Sequence, residues 1–579
     1  LSIVATVRPE NTLMLEVFRK SGFEPHITWD EGVMRIELPA TPSEKARAQA
    51  EAREQIATAA SLNPFFRPES IAVIGASRRA EGFGRRVFEQ LIRTGFTGPV
   101  YPVNPHARSI AAVRAFPSIH DIPDQIDLAI LAIPAQQILA EVDACAAKHV
   151  RALLVLSAGF EETNAEGLAL QNTLVKKVRA HGMRLIGPNC FGLRNMAPDT
   201  SLNATVLPNH AQPGRIAIST QSGALGVAVL DYLQDSALGI SMFVNVGNKA
   251  DVSGNDLLQY WEEDPSTDLI LLYLESFGNP RTFARLARRV ARRKPIVAIK
   301  SGRSAAGVTR SDYANYATEA LFRQAGVIRA ETLEESFDIA TLLTRQPLPA
   351  GNRVAVVTNA AGLGALCVDA GQAHGLQFPA LSPATAEACQ GLLPTSVDLD
   401  NPINLRIEAQ PEHYTTAVQH VLRDTTIDAV IVLYVPIGNA TEQELAEVLS
   451  HTVHTARGET GQAKPKPVLA CFLHQDRALS VAGEVASSTT TTLPLFRFPE
   501  AAARSLAHAA RYAAWQRSPL GQVPALSDVD ADAARNVIET VLESHAEGEL
   551  GQPDTQALLT AAGLPLSDAP EEADETSVV

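Results

Sequence analysis

The chain has 579 residues, 46% of them hydrophobic and 20% charged, which exceeds one hydrophobic core several-fold and leaves no place for long disorder. Its 49 Lys plus Arg stand against 64 Asp plus Glu, a net charge of −15, which opposes non-specific binding to nucleic acid or anionic lipid. The five cysteines (Cys145, Cys190, Cys367, Cys389, Cys471) are scattered, odd in number and free of any CxxC or Cys/His cluster; they suggest neither a disulfide framework nor a metal site and suit a reducing compartment.

No apolar run approaches the roughly 18 residues of a spanning helix and no signal-like segment opens the chain, so a cytoplasmic protein without a membrane partner is expected. The chain begins at Leu1 on what reads as mid-domain sequence, as a fragment would. Residues 1–40 read as a helix followed by strands. Residues 41–63 are Ala-rich, charged and bounded by Pro39, Pro42 and Pro64, which predicts a helical linker. From residue 64, β-branched runs at 71–74, 128–133, 153–156, 216–219, 269–274, 296–299, 354–357 and 429–434 alternate with amphipathic helical stretches. Such βα units predict parallel sheets in doubly wound α/β domains. The strand, Gly-rich turn and helix at 216–226 recur at 354–364, which predicts two similar flavodoxin-like domains. Breaks near 198, at 347–351 and near 518–528 divide the body into 64–198, 199–346 and 347–520, and leave an acidic tail, 521–579.

The segment IAVIGASRRAEGFGRRVFEQLI is a strand, a turn and a helix whose N-terminus attracts phosphate. A nicotinamide dinucleotide suits it poorly. Gly75 is followed by Ala76 and Ser77, with the next glycines only at Gly82 and Gly84, and the following strand ends on Asn104 and Pro105 where an acid would hold the ribose. Arg78, Arg79, Arg85 and Arg86 offer charge to a more highly phosphorylated nucleotide such as coenzyme A. A turn that only packs helix on strand remains the plain alternative, as do turn-shaping roles for Pro134, Pro188 and Cys190.

In order and spacing, PESIAVIGAS, GPVYPVNP, LLVLSAGF, RLIGPNCFG, GRIAISTQSGALG, VNVGNKADVSGNDLLQYWEEDP, LLYLESFGNP, KPIVAIKSGRSAAG, VAVVTNAAGLG and NPINL resemble the NDP-forming acyl-CoA synthetases, relatives of succinyl-CoA ligase. The resemblance covers roughly 64–520. It implies a Rossmann-like CoA-binding domain followed by two flavodoxin-like domains that assemble a phosphohistidine site, with an ATP-grasp domain normally beyond. It further implies CoA or acetyl-CoA as ligand, bound by Gly75, Ala76, Ser77, Gly84, Asn104, Pro134, Ser157, Gly159 and Asn189. Gln221, Ser222, Gly223, Asn359 and Gly362 would hold phosphate at two helix ends, and Glu275 would orient the histidine, although an acid there also suits a helix N-cap. ATP or ADP with Mg is implied only if an ATP-grasp domain is supplied, for QALLTAAGLPLS resembles merely its opening helix.

The pattern breaks where the family places Ser-His-Thr-Gly. Lys300, Ser301, Gly302, Arg303 and Gly307 are intact, but Val308 to Tyr313 follow, and the sequence has no histidine between His210 and His374. A carboxylate such as Asp312 could take phosphate instead, as aspartyl-phosphate enzymes do, but the shortened loop would then have to reach both helix ends. Asn404 in NPINL stands where the family has aspartate.

Residues 1–40, through Glu10-Asn11, Met14-Leu15 and Lys20-Ser21-Gly22-Phe23, resemble the last helix and strands of a GNAT acetyltransferase, and only Asn11 transfers as a CoA-side residue. Together these resemblances imply the regulatory, acyl-CoA-binding body of a GNAT-fused protein lysine acetyltransferase, with a protein lysine as partner. The alternative is an active ADP-forming acetate–CoA ligase, and an NAD enzyme ranks third. Self-association is left open.

Overall fold

The structure is a computed structural model that describes residues 2–20, 25–30, 32–39, 44–207, 211–234, 238–301, 313–437, 441–459, 465–473, 493–519, 526, 528–544 and 550–564. Residues Leu1–Arg517 make one compact unit and Ser518–Val579 a second.

The first unit opens with β1 (Ser2–Val7), α1 (Thr12–Lys20), β2 (His26–Asp30) and β3 (Val33–Pro39). The strands form an antiparallel sheet in the order β1-β3-β2, around Val7, Leu15, Ile36 and Leu38. Residues 21–24, part of the pattern quoted for this segment, lie outside the described residues. Helix α2 (Glu44–Phe66) follows. It does not stop at Pro64 as the linker reading expects: the proline sits in its last turn, and the Arg67 N–H donates to Asn63 O at 2.7 Å. Nor is it a free connector. Phe65 and Phe66 are fully buried, Phe66 lies 4.7 Å from the Tyr260 ring, and Gln55 Nε2 donates to Glu262 at 2.9 Å. Aromatic burial at one end and the buried carboxylate Glu262 dock the helix.

The first parallel sheet comprises β4 (Ile71–Ile74), α3 (Phe83–Arg93), β5 (Val100–Val103), the short hairpin β6 (Ser109–Ile110) and β7 (Val113–Arg114), β8 (Leu128–Leu131), α4 (Ala135–Ala147), β9 (Ala152–Val155), α5 (Ala165–Ala180) and β10 (Arg184–Ile186). Its order is β10-β9-β8-β4-β5. Strands β4, β8 and β9 are buried at every residue, which is why they read as unbroken apolar runs.

The second sheet contains β11 (Gly192–Asn195), β12 (Leu202–Thr205), β13 (Pro213–Thr220), β14 (Ile240–Asn245), β15 (Leu269–Leu274), β16 (Ile296–Lys300) and β17 (Ile328–Arg329), with α6 (Gly223–Gln234), α7 (Gly254–Glu263), α8 (Pro280–Ala291), α9 (Tyr313–Ala325) and α10 (Leu333–Arg345). Its order is β12-β11-β14-β13-β15-β16-β17. Strand β11 pairs antiparallel with both β12 and β14, so the sheet is mixed, and it takes up the chain at Gly192, ahead of the expected change near 198.

The third sheet is β19-β18-β20-β21-β22, from β18 (Val354–Thr358), β19 (Ile403–Asn404), β20 (Ala429–Tyr434), β21 (Val468–Phe472) and β22 (Leu495–Phe496), with α11 (Ala361–Ala373), α12 (Pro383–Gln390), α13 (Pro411–Arg423), α14 (Glu442–Glu459) and α15 (Pro499–Arg517). Helix α15 ties the second and third sheets together. Tyr512 donates to Ala291 O at 2.6 Å, and Arg292 stacks 4.4 Å above the Trp515 ring, while Leu506 and Ala510 pack in the third sheet's core.

The five parallel strands of each of the three sheets follow the 2-1-3-4-5 order, so each has its topological switch point between its first and third strands. The second and third sheets also share their fastenings. Arg215 pairs with Asp268 at 2.7 Å and Arg353 with Asp428 at 2.9 Å, while Lys294 donates to Asp264 O and Lys466 to Asp424 O. The second unit is a helix pair, α16 (Ala531–Ser544) and α17 (Gln552–Ala561), closed by the Asp530 N–H on Ala561 O at 2.8 Å.

Candidate functional site

At the first switch point the chain leaves β4 through Gly75, whose φ of +92° is open to glycine. A Cβ there would lie 2.3 Å from Ala132 O, and one on Gly84 would lie 2.6 Å from Gly75 O. The first turn of α3 is thus laid directly on the end of β4. Asn104 closes the turn from the side: its Nδ2 donates to Ala76 O at 2.7 Å, and its Oδ1 accepts from the His106 N–H at 2.8 Å. Ser77 Oγ donates to Arg79 O at 3.3 Å. Of the four arginines, Arg85 is held by Glu89 at 2.7 Å, whereas Arg78, Arg79 and Arg86 are exposed and form no ion pair among the described residues. A helix N-terminus, a glycine turn without side chains and three free guanidiniums fit a polyphosphorylated ligand.

Pro134 begins α4 as its N-cap, and Ser157 Oγ donates to Ile133 O beside it. Gly159, at φ +107°, presents its N–H to Glu162 Oε1 at 2.6 Å, and the Phe160 N–H adds a second bond at 3.1 Å. Burial opposes ionisation of Glu162, but these bonds and one from Asn248 hold its carboxyl below the usual range. Asn189 follows the turn after β10, and its N–H donates to Ser157 O at 2.9 Å. The sequence-predicted residues of this domain therefore gather along one sheet edge.

The second sheet meets that edge through residues 246–251. A Cβ on Gly247 would lie 2.3 Å from Pro188 O and 2.5 Å from Asn189 O, so only glycine permits the approach. Asn248 Nδ2 donates to Glu162 Oε2 at 2.6 Å and Gln171 Oε1 at 2.9 Å, and its Oδ1 accepts from Asn189 Nδ2 at 3.2 Å. Lys249 then turns into the second switch point, where Nζ donates to Ser276 O at 2.9 Å. Burial, with Lys300 nearby, lowers its pKa against the pull of Glu161 and Glu275.

At that switch point Gln221 is the clasp. Its Oε1 accepts from the Glu275 N–H at 2.8 Å and the Ser276 N–H at 2.9 Å, and its Nε2 donates to Ser276 O at 2.8 Å. Glu275 itself is exposed. The Ser222 carbonyl accepts from the Gly226 N–H at 3.0 Å as α6 starts. A Cβ on Gly223 would strike the Phe191 ring at 2.2 Å, and that ring lies 6.1 Å from Phe83 at the start of α3. The starts of α3 and α6 are thus spaced by one aromatic ring.

Asn359 repeats the clasp in the third sheet: Nδ2 donates to Val435 O at 2.8 Å and Oδ1 accepts from the Val435 N–H at 3.0 Å. Gly362 lies in the first turn of α11, with open space where a Cβ would be. The amides of Gln221 and Asn359 thus bind backbone, and what these positions offer an anion is the helix start behind them. Asn404 pairs with Asp398 through both backbone groups. Residues 302–312, including Gly302, Arg303, Gly307 and Asp312, lie outside the described residues.

Sequence reading did not single out Asn248, Lys249, Lys300, Glu162 or Phe191 as site residues. The signal was present in the quoted strings VNVGNKAD and KPIVAIKSGR, but their convergence is a property of the sheet edge.

These features define an α/β protein with a CoA-binding domain joined to succinyl-CoA-ligase-like flavodoxin domains. Residues 69–196 match the CoA binding domain, 213–343 the succinyl-CoA ligase like flavodoxin domain and 354–499 the ligase-CoA domain. The alpha subunit of ADP-forming acetate–CoA ligase I of Pyrococcus furiosus is 32% identical over 469 residues, covering 79% of this chain and 98% of its own. ADP-forming acetate–CoA ligase I of Archaeoglobus fulgidus is 33% identical, covering 88% of this chain and 70% of its own. A dinucleotide forming acetyl-coenzyme A synthetase 1 from Ca. Korarchaeum cryptofilum, solved with phosphate and ADP, matches with a TM-score of 0.71 and 31% identity over 79% of this chain and 97% of that chain. The chain belongs to the NDP-forming acetate–CoA ligase family, in the part that corresponds to the alpha subunit.

Among the described residues no helix is long and apolar enough to cross a membrane, and no group of His, Cys, Asp and Glu could hold a metal ion.

Proposed function

We propose that the chain binds CoA and acyl-CoA at the first switch point and serves as the acyl-CoA-responsive body of a regulatory protein, with its ligase chemistry curtailed. The observation that carries the reading is the Gly75–Gly84 contact, which lays the start of α3 open beside three unpaired arginines, combined with a sequence that has no histidine between His210 and His374. Gly75, Ala76, Ser77 and Gly84 would receive the phosphates. Asn104, Pro134, Ser157, Gly159 and Asn189 would line the path toward the second sheet. A protein lysine as acyl acceptor belongs to the same proposal: its support is the antiparallel β1-β3-β2 sheet with α1, a piece of the shape expected at the end of a GNAT domain.

A second reading is the full ligase, forming acyl-CoA from carboxylate, CoA and ATP. It is favoured by one feature, the Gln221 clasp that still holds the Glu275 turn against α6. ATP, with Mg, would require an ATP-grasp partner, consistent with a relative described as an alpha subunit.

Calorimetry on the intact chain with CoA and acetyl-CoA tests the first reading: binding of both is expected, and no heat with no protection against melting would sink it. Incubation with acetyl-CoA and phosphate separates the two readings, since release of acetyl phosphate would restore the ligase.

A further inference from the structure

Helix α2 is docked by unlike means along its length. Its last turn is anchored by burial, for Leu62, Phe65 and Phe66 are fully buried. Ahead of that turn its partners are polar. Glu51 and Glu54 pair with Arg285 at 3.1 and 3.4 Å at the surface, and Gln55 reaches the buried Glu262 at 2.9 Å. The face of α7 that meets α2 is under-satisfied: Gln259 and Asn255 lie one and two turns ahead of Glu262 on the same side of the helix. Their side-chain oxygens, and Gln49 Oε1 on α2 itself, are buried without a hydrogen bond among the described residues. Exposed ion pairs stabilise little, and a buried acceptor without a donor forfeits its hydration. The turns of α2 before Ser61 are therefore the low-stability part of this seam.

Ser61 stands at the boundary of the two parts and is tied to the CoA-binding domain. Its Oγ accepts from Arg184 Nη1 at 2.7 Å and donates to Thr58 O at 2.8 Å, back toward the weaker turns. Arg184 opens β10, the strand that runs into the turn 187–189. Its other nitrogens donate to Asp251 at 2.8 Å and Asp256 at 2.9 Å. Asp251, 3% exposed, also accepts from the Leu185 N–H and from Arg179, each at 3.0 Å. It closes the segment 246–251, whose Asn248 is bonded to Asn189 and Glu162. A buried carboxylate that holds two guanidiniums and a backbone N–H is a stiff joint, because releasing either cation leaves charge uncompensated. One chain of bonds thus runs from Asn189 through Asn248, Asp251 and Arg184 to Ser61.

We propose that α2 is a releasable strap whose docking is set by occupancy of the CoA site, with Arg184 as the positioning residue between them. The inference deepens the regulatory reading above and rests on it. CoA lying along Asn189 clamps the turn 187–189 against 247–248, so Asp251 and Arg184 stay in place and Ser61 keeps the weaker turns on α7. Without ligand the joint fluctuates and those turns open more often. Hydrogen exchange of the intact chain tests it, read by mass spectrometry on peptides within residues 48–60, with and without CoA. CoA is expected to slow exchange there about 5-fold or more in wild type. Ser61→Ala removes the hydroxyl that Arg184 holds and is expected to abolish this response while calorimetry still shows CoA bound. Gln55→Ala loosens the helix at its other fastening, and should speed exchange in both states yet preserve the response, a difference that a merely structural seam does not produce. Exchange unchanged by CoA in wild type that binds it, a full response in Ser61→Ala, or loss of the response in both variants alike overturns the inference. Failure of wild type to bind CoA overturns the earlier reading instead.

Discussion

His508 Nε2 and Glu335 Oε1 meet at 2.9 Å across the seam between α15 and α10. Arg511 Nη2 stands 3.0 Å from Nδ1 of the same ring, and a guanidinium only donates, so Nδ1 accepts and the Nε2–H is given to Glu335. The imidazole is thereby held neutral. Burial, with Arg511 and His374 nearby, pushes its pKa below the usual value despite Glu335. Burial opposes ionisation of Glu335, but His508, Arg504 and Thr332 hold its carboxyl below its ordinary range.

A loss of stability toward acid follows from this pair. The folded His508 pKa lies below the unfolded value of 6.5, so the unfolded chain takes up the proton first and stability falls as pH drops below about 6.5. Glu335 adds a further loss below 4.5. Between pH 8 and 5 the unfolding midpoint of wild type should fall relative to that of His508→Gln, which lacks the titrating ring. An identical slope in the variant contradicts the neutral ring.

Asp338, one turn along α10, acts in the opposite sense. Burial, with Glu334 and Glu335 nearby, raises its pKa to about 7, so the folded chain retains a proton that the unfolded chain has lost. Stability is therefore present at low pH and lost as pH rises through 7. Asp338→Asn should stabilise the chain at pH 8 by at least about 1 kcal/mol and by less at pH 5, which lies inside the window between 3.8 and about 7, read by denaturant unfolding at both values.

Gly84→Ala should separate the CoA site from the rest of the fold. The added Cβ meets the Gly75 carbonyl at 2.6 Å and must push α3 off the end of β4, at about 1–3 kcal/mol. CoA affinity measured by calorimetry is expected to fall at least about 10-fold while the third sheet's contribution to unfolding is retained. Undiminished affinity would mean that the ligand does not use the start of α3.

Glu262 is 2% exposed and receives Arg289 at 2.8 Å as well as Gln55 from α2. Glu262→Ala leaves the arginine without its counter-charge in a buried seam and should cost about 3–5 kcal/mol. Protease cleavage within α2 is expected to accelerate, because the helix loses the partner that docks it.

Asn359→Leu removes both partners of the Val435 backbone, at an expected cost of about 1–3 kcal/mol for the groups left unpaired. CoA binding, measured alongside melting, should be unaffected, since the clasp lies in the third sheet.

Much of this was legible in the sequence. Buried strands such as β4, β8 and β20 are short apolar runs because both faces are covered, and the recurring turn at 216–226 and 354–364 announced two related domains. The NAD alternative was already weak from the residues after Gly75. Helix α2 was legible as a helix, but its docking through Gln55, Phe65 and Phe66 was not, because those contacts are made with residues about 200 positions away in the sequence. Strands β11 and β12 went unread because GLRN and LNAT carry no apolar run, their place being fixed by pairing with each other and with β14.

Local sequence determined which segments are strands, where glycine must stand and which family pattern is broken after Gly307, since these depend on side-chain volume, backbone freedom and order along the chain. Only the tertiary structure decided that Lys249, Lys300 and Glu275 share one sheet edge. Residues 25 to 51 positions apart become neighbours through strand register, which is set by the burial of whole sheets and not by any local signal.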